Sequence, residues 1–292
     1  MHPAPSVIIF SVFSGAGFGL LAFLGAGIVT PAGWAAFLWW GLGYALAVVG
    51  LLASTFHLGN PQRALRAFTQ WRSSWLSREA WASVATLLLL SPVALSDWLG
   101  LGWPREIGLL GAALALGTVF TTSMIYTQIK AVPRWHHPVT PLMFMVFSIT
   151  GGAILSGQHL LAALLCVALG AVLLALYRIG DGQFARAGQT MGTATGLDRI
   201  GSVAVFEQAH TAGNYLLREM IYVVGRKHAT KLRRIAFVLA VVLPALLMLG
   251  HGLPFILLAA ISHLTGALAA RWLFFAEAEH VVGLYYGKRQ GA

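Results

Sequence analysis

The 292-residue chain is 58% hydrophobic and only 10% charged, with a mean hydropathy of +0.77. A water-soluble domain carries roughly a quarter charged residues, so an ordinary soluble fold is excluded and lipid must cover much of the surface. The net charge of +10 reads as juxtamembrane charge and not as a nucleic-acid surface, because the basic residues lie between apolar runs.

The opening Met1-His2-Pro3-Ala4-Pro5 has no Lys or Arg before the first apolar run. It lacks the basic segment of a cleavable signal peptide, so the first span is expected to stay in the mature protein. Apolar runs then fall at about 6–29, 34–57, 80–97, 106–129, 139–157, 160–177, 235–250 and 254–274. About 20 apolar residues cross the hydrocarbon core as a helix. The pattern predicts an all-α integral membrane protein, a bundle of eight transmembrane helices forming a single transmembrane domain over 1–292. In the first run Gly15 and Gly19, with Gly17 between them, are spaced for close approach of a neighbouring helix. This GAGFG stretch follows no strand and lacks a P-loop lysine, so it is not a nucleotide loop. Runs five and six meet around Ser156-Gly157-Gln158-His159, and runs seven and eight around Gly250 to Pro254, which makes each pair an antiparallel hairpin. The seventh run is the shortest, and Pro244 is expected to kink it. Cys166, the one cysteine, lies within run six; a disulfide needs two thiols and a [4Fe–4S] cluster about four, so neither forms within the chain.

Segments following the even-numbered runs hold 18 of the 19 basic residues, including Arg63, Arg66, Arg72, Arg78, Lys130, Arg134 and Arg271; Arg105 alone lies opposite. By the positive-inside rule that face and both termini are cytoplasmic. Trp34, Trp71, Trp75, Trp81, Trp98, Trp103, Trp135 and Trp272 fall near run ends and read as interfacial belts. The polar segment 179–234 forms a cytoplasmic basic loop and helix. Its Gly/Thr-rich first part reads as irregular. Thr211 to Arg234 reads as a basic helix with an apolar stripe, suited to anionic headgroups or to a partner.

Ionisable groups near the membrane are functional candidates by default. The densest cluster is the second loop: His57 ends run two, Glu79 opens run three, and Arg63 and Arg78 lie between them. A histidine at the lipid boundary can donate to a quinone carbonyl and exchange a proton near neutral pH, with a carboxylate beside it as relay. The alternatives are a capping histidine and a helix-start acid that complements the dipole. His263 is the one clear mid-run histidine, too few for the facing pair that binds a b-type haem. His251 falls at an outer run end, and His136-His137 in a loop offers little as a metal site. Charge at mid-span reads as absent.

His57-Leu58-Gly59-Asn60-Pro61-Gln62-Arg63-Ala64, followed by Leu76-Ser77-Arg78-Glu79, resembles a two-part motif of the membrane-anchor subunits of the dimethyl sulfoxide reductase family. The resemblance continues through Ala131-Val132-Pro133-Arg134-Trp135 and Thr140-Pro141, and in length and span count it covers the whole sequence. Within the family the sequence is most similar to the anchors of cytoplasmic sulfite dehydrogenases, through Trp71 to Glu79 and the stretch from Asn214 to His228. The resemblance implies a quinone-reactive subunit, with ubiquinone or menaquinone bound near His57 and Glu79, with Arg63 and Arg78 close by. It implies an iron–sulfur electron-transfer subunit and a molybdopterin catalytic subunit as partners, which carry those cofactors themselves, and no haem in the anchor. Direction of electron flow separates quinone reduction during sulfite oxidation from a quinol-oxidising anchor of the dimethyl sulfoxide reductase type. A secondary transporter, with ionisable groups at the midplane, is the rival from another class.

Overall fold

The computed structural model describes residues 1–57, 60–206, 220 and 228–286, and among these it is helical throughout, with no strand. The main elements are α1 (Pro5–Gly25), α2 (Gly33–Ala53), α3 (Trp75–Leu99), α4 (Glu106–Thr127), α5 (Val139–Leu155) and α6 (His159–Arg186). A short α7 (Met191–Thr195), α8 (Ala229–Phe237), α9 (Leu243–Leu247) and α10 (Leu253–Ala276) complete the set. All eight apolar runs are helical, but six helices, α1, α2, α3, α4, α6 and α10, are long and apolar enough to cross a membrane. The other two runs differ for identifiable reasons. α5 has 17 residues, about 26 Å at 1.5 Å per residue, short of the ~30 Å core. The seventh run is interrupted: α8 passes through a π-helical turn, Val238–Val242, into α9.

Pro244 causes that interruption. It has no N–H and its ring displaces the carbonyl four residues earlier, which belongs to Ala240. Two carbonyls at the widened turn find partners on α10 instead. His263 Nδ1 lies 2.9 Å from the Ala240 oxygen, and the Ser262 hydroxyl donates to Leu239 at 2.8 Å. Gly266 lets α10 approach the Ala240 backbone closely enough to make both bonds. Apolar surroundings offer no water to such carbonyls, so neighbouring side chains must supply the donors.

α1 is the hub, packed by α2, α4, α5 and α10. Gly17 abuts the backbone of α2 at Ala47, and Gly19 abuts that of α5 at Ser148. The predicted close approach is therefore made by Gly17 and Gly19, whereas a Cβ on Gly15 would meet nothing within 4 Å. The two hairpin turns form as expected, with Gly157 at φ 71° and Gly252 at φ 99°, conformations costly for residues with a Cβ.

Three readings of the sequence are corrected. Trp135 is no belt residue: it is 1% exposed, donates to the Phe274 carbonyl at 2.9 Å, and packs in a cluster with Tyr126, Phe274 and Phe275. Trp34, by contrast, is 72% exposed, as a belt residue should be. Arg271, counted among the residues that follow run eight, lies inside α10 and not in a loop. The start of the polar segment is more regular than its Gly/Thr content suggests. α6 continues to Arg186, and α7 opens on a capping box in which Thr190 and Thr193 satisfy each other's backbone. Of the predicted helix Thr211 to Arg234, only Met220 and the stretch from His228 onward belong to the described residues, and Ala229–Phe237 is helical.

Ion pairs fasten one end of the bundle. Arg134, after α4, reaches Asp181 of α6 at 2.9 Å and Glu277, just past α10, at 2.7 Å. Arg233 of α8 reaches Asp181 at 2.5 Å and Glu277 at 2.6 Å. The Met1 ammonium donates to the Phe275 and Ala278 carbonyls at the same end. At the opposite end Arg105 pairs with Asp97 at 2.5 Å and donates to the Leu24 carbonyl at the end of α1, while Trp40 donates to Asp97. The one basic residue outside the basic face is thus paired, and it caps a helix terminus.

Candidate functional site: a buried carboxylate at the motif end

α2 gives way at Ser54 to a 3₁₀ turn, Ser54–His57. Ser54 and Thr55 donate back to the Leu51 and Leu52 carbonyls at 2.6 and 2.7 Å, occupying acceptors left free at the helix end. The turn packs on α1 and on a second 3₁₀ helix, Pro61–Phe68, which opens with proline where no N–H is needed. His57 is placed at the end of the first turn; Leu58 and Gly59, where the sharp reversal is expected, lie outside the described residues. Arg63 is exposed on the second 3₁₀ helix.

The loop that follows is tied to the start of α3. Arg78 Nε and Nη2 donate to the Trp71 and Arg72 carbonyls at 3.0 and 2.7 Å, and the guanidinium stacks on Trp75 at 4.3 Å. Trp81 donates to the Phe68 carbonyl at 2.9 Å and meets that ring edge-on. Phe68, Trp71, Arg78 and Trp81 border an open aromatic cleft of about 430 Å³.

One residue beyond Arg78, a turn of roughly 100° around the helix, Glu79 faces inward. It is 4% exposed and accepts a hydrogen bond from the Thr122 hydroxyl on α4. The same seam continues with Thr86 and Thr118, whose hydroxyls are 3.2 Å apart. Hydroxyl pairs of this kind hold transmembrane helices together where water is excluded. Tyr126, one turn beyond Thr122, packs against Trp135, Phe144, Phe274 and Phe275. Arg271 is 4% exposed; it donates to the Met143 sulfur at 3.1 Å and lies 3.6 Å over the Phe144 ring. No carboxylate comes within ion-pair distance of it among the described residues.

The predicted set is therefore divided. Glu79 enters the bundle, Arg78 shapes the loop, Arg63 stays on the surface, and His57 closes the turn beside α1. His263 is engaged with the Ala240 carbonyl freed by Pro244, a structural duty. Thr122, Tyr126 and Arg271 were not anticipated. Thr118, Thr122 and Tyr126 recur every fourth residue, a stripe legible in the sequence. Arg271 sits five residues before the end of α10, where charge counting assigns it to a loop.

The model of the DMSO reductase anchor subunit family matches residues 1–277. The chain belongs to this family. It is 31% identical to the C subunit of the sulfite dehydrogenase of Allochromatium vinosum, an alignment covering 98% of the present sequence and 99% of that protein. It is also 34% identical to YnfH, an anaerobic dimethyl sulfoxide reductase component of Escherichia coli, over 44% of each protein. Identity to the C component of the Escherichia coli anaerobic dimethyl sulfoxide reductase is 29%, over 38% of the present sequence and 40% of that one. No solved structure matches. The anchor family and the apolar helices identify a multi-pass membrane protein.

Proposed function

We propose that this anchor passes electrons between membrane quinone and an iron–sulfur partner subunit, serving a molybdopterin catalytic subunit that oxidises sulfite in the cytoplasm. The observation that carries the reading is Glu79: a carboxylate buried in the first turn of the spanning helix that follows the motif loop, held by Thr122. Such a group serves a proton-coupled reaction at a membrane boundary better than it serves anchoring, for which an apolar side chain suffices. When bound, quinone supplies two-electron, two-proton chemistry. His57 is assigned to the quinone carbonyl and Glu79 to proton exchange. Arg78 holds the loop over the site, and Arg63 flanks it.

The aromatic cleft bordered by Phe68, Trp71 and Trp81 fits the flat apolar ring of ubiquinone or menaquinone on its way in from lipid. Metal chemistry is assigned to the partners, since the single cysteine, Cys166, is buried within α6. In this reading eight helical passes cross the bacterial cytoplasmic membrane, with α5 and the interrupted α8–α9 segment as the short ones. Both termini, the motif loop and residues 179–234 face the cytoplasm. Exposed Phe56, Leu65, Ile200 and Phe206 then offer apolar contacts to the iron–sulfur subunit on that face. The near-complete alignment with a sulfite dehydrogenase subunit supports the oxidative direction.

The test uses the assembled complex in membranes. His57→Ala should abolish electron transfer to a quinone analogue while leaving assembly and turnover with a soluble artificial acceptor intact. Glu79→Gln should slow the quinone reaction with a pH-dependent defect. Loss of assembly in His57→Ala would make it a cap; full quinone activity in both variants would move the site elsewhere.

A further inference from the structure

Arg271 is a buried guanidinium short of acceptors. It lies inside α10 and is 4% exposed. Of its several N–H donors, one reaches the Met143 sulfur at 3.1 Å, and that weak acceptor is its only hydrogen-bond partner among the described residues. The Phe144, Phe147 and Phe274 rings lie 3.6, 5.7 and 5.9 Å from the guanidinium carbon and compensate part of the charge. A buried donor left without an acceptor still carries its full desolvation cost.

A small polar chamber lies against this side chain. α1, α4, α5 and α10 enclose it, Arg271 lines it, and Ser11, Ser14, Thr122, Ser148 and His263 supply the rest of its polar lining. The room it leaves is about 20 Å³, against the roughly 10–15 Å³ that one water needs.

The hydrogen bonds around the chamber decide what fits it. Each lining hydroxyl donates to a main-chain carbonyl: Ser11 to Ile8, Ser14 to Phe10, Ser148 to Gly15 and Thr122 to Thr118. His263 is engaged at the Ala240 carbonyl. With their protons committed, the hydroxyl oxygens offer acceptor capacity, whereas Arg271 can only donate. An occupant must therefore accept from a guanidinium and donate to hydroxyl oxygens. Water does both, and a halide only accepts.

We propose that the chamber is an internal hydration site, in which an ordered water accepts from the Arg271 guanidinium and donates to a lining hydroxyl oxygen. The water solvates a charge that has no carboxylate in contact, and it joins α10 to the helices facing it. The site stands apart from the quinone reading, because His57, Arg63, Arg78 and Glu79 do not line the chamber.

The test exposes the assembled complex, in its native membranes, to hydroxyl radicals in ¹⁸O-water and reads oxidation residue by residue. Met143 is 2% exposed and contacts Arg271, whereas Met248 is 1% exposed and lies outside the chamber lining. Water held at Arg271 should label Met143 and leave Met248 unlabelled. No label on either methionine means a dry chamber, and equal label on both means a general opening of the bundle; each overturns the proposal. Arg271→Met removes the donors and should abolish the Met143 label, and a label that persists overturns the assignment to Arg271. Gly15 lines the chamber, and a Cβ there would meet no atom within 4 Å. Gly15→Ala should therefore lower the Met143 label while leaving Arg271 in place. Where Arg271→Met fails to accumulate, Gly15→Ala decides, and an unchanged label in it sinks the proposal. An anion is separated from water by solid-state spectra of ¹⁵N-arginine protein, with the Arg271 signal assigned by its loss in Arg271→Lys. Exchange of chloride for gluconate should leave that signal unmoved; a halide-dependent shift would replace the water with an anion.

Discussion

Arg134, in the α4–α5 loop, and Arg233, at the end of the polar segment that joins α6 to α8, hold the same two carboxylates, Asp181 and Glu277. Four segments meet in this closed set: the α4–α5 loop, α6, α8 and the end of α10. Partnership with two carboxylates pushes the Arg233 guanidinium above its ordinary range. Trp135, next to Arg134, is buried beside this set.

The two carboxylates should differ in weight. Glu277 has a side chain 6% exposed and Asp181 one 51% exposed. Removing one partner of a buried pair costs about 3 kcal/mol, whereas exposed pairs give up to about 1 kcal/mol. Glu277→Gln is therefore expected to lower the thermal midpoint of the solubilised protein clearly more than Asp181→Asn. Equal effects would show that the network is solvated throughout.

Arg105 gives a second stability prediction. Its pair with Asp97 and its bond to the Leu24 carbonyl place it as a clamp over the C-terminal end of α1. Arg105→Gln should cost about 1–2 kcal/mol, the range for a partly exposed charge-assisted contact and a helix cap together. Because Asp97 already neutralises Arg105, the substitution should not alter orientation. A reporter active only outside the cytoplasm should read the same before and after it.

Much of this fold was legible in the sequence, and the misreadings share one cause. Run positions and both hairpin turns follow from hydropathy and Gly/Pro placement, and the motif singles out Glu79 without showing that it turns inward. Periodicity and charge counting describe one helix at a time, so they could not see which helix lies opposite. Trp135 reads as a belt residue because it sits at a run end, yet it fills a space between α4, α5 and α10. Arg271 was counted as loop charge because it nears a run end. His263 was weighed for cofactor binding, although its partner carbonyl is exposed only by a proline on another helix. His57 stays as the motif left it, an assignment by resemblance.

Orientation has its own check. A periplasm-active phosphatase fused after Ala292 should be silent, and one inserted at the Gly100–Gly102 turn should be active. The basic asymmetry of 18 residues to one motivates this. Strong activity after Ala292 would reverse the bundle and remove the cytoplasmic partner from reach.

Acid should loosen the chain ends. Burial and the nearby N-terminal ammonium hold His280 below its ordinary value of 6.5. The unfolded protein then takes up that proton more readily than the folded one, so stability is complete above about pH 6.5 and declines as pH falls below it. His280→Gln should flatten the dependence of the thermal midpoint on pH between about 7 and 5. A slope that persists in the variant would assign it to another group.

Thr122 offers the sharpest separation of structure from chemistry at the proposed site. Its hydroxyl is the one hydrogen-bond donor to Glu79 among the described side-chain contacts, and it sits where α3 meets α4. Thr122→Val preserves shape and the β-branch but removes the donor. A hydrogen bond to a charged group contributes about 1.5–3 kcal/mol, and each 1.4 kcal/mol is a factor of about ten in rate if it acts on the barrier. Transfer to a quinone analogue should therefore fall by about tenfold or more, while turnover with a soluble acceptor stays unchanged, since that path bypasses the anchor. Thr122→Ser restores the hydroxyl and should recover most of the rate, although it loses a packed methyl. A serine variant as slow as valine would show that packing of α3 on α4 controls the reaction. A valine variant at full rate would mean that Glu79 acts without the hydroxyl.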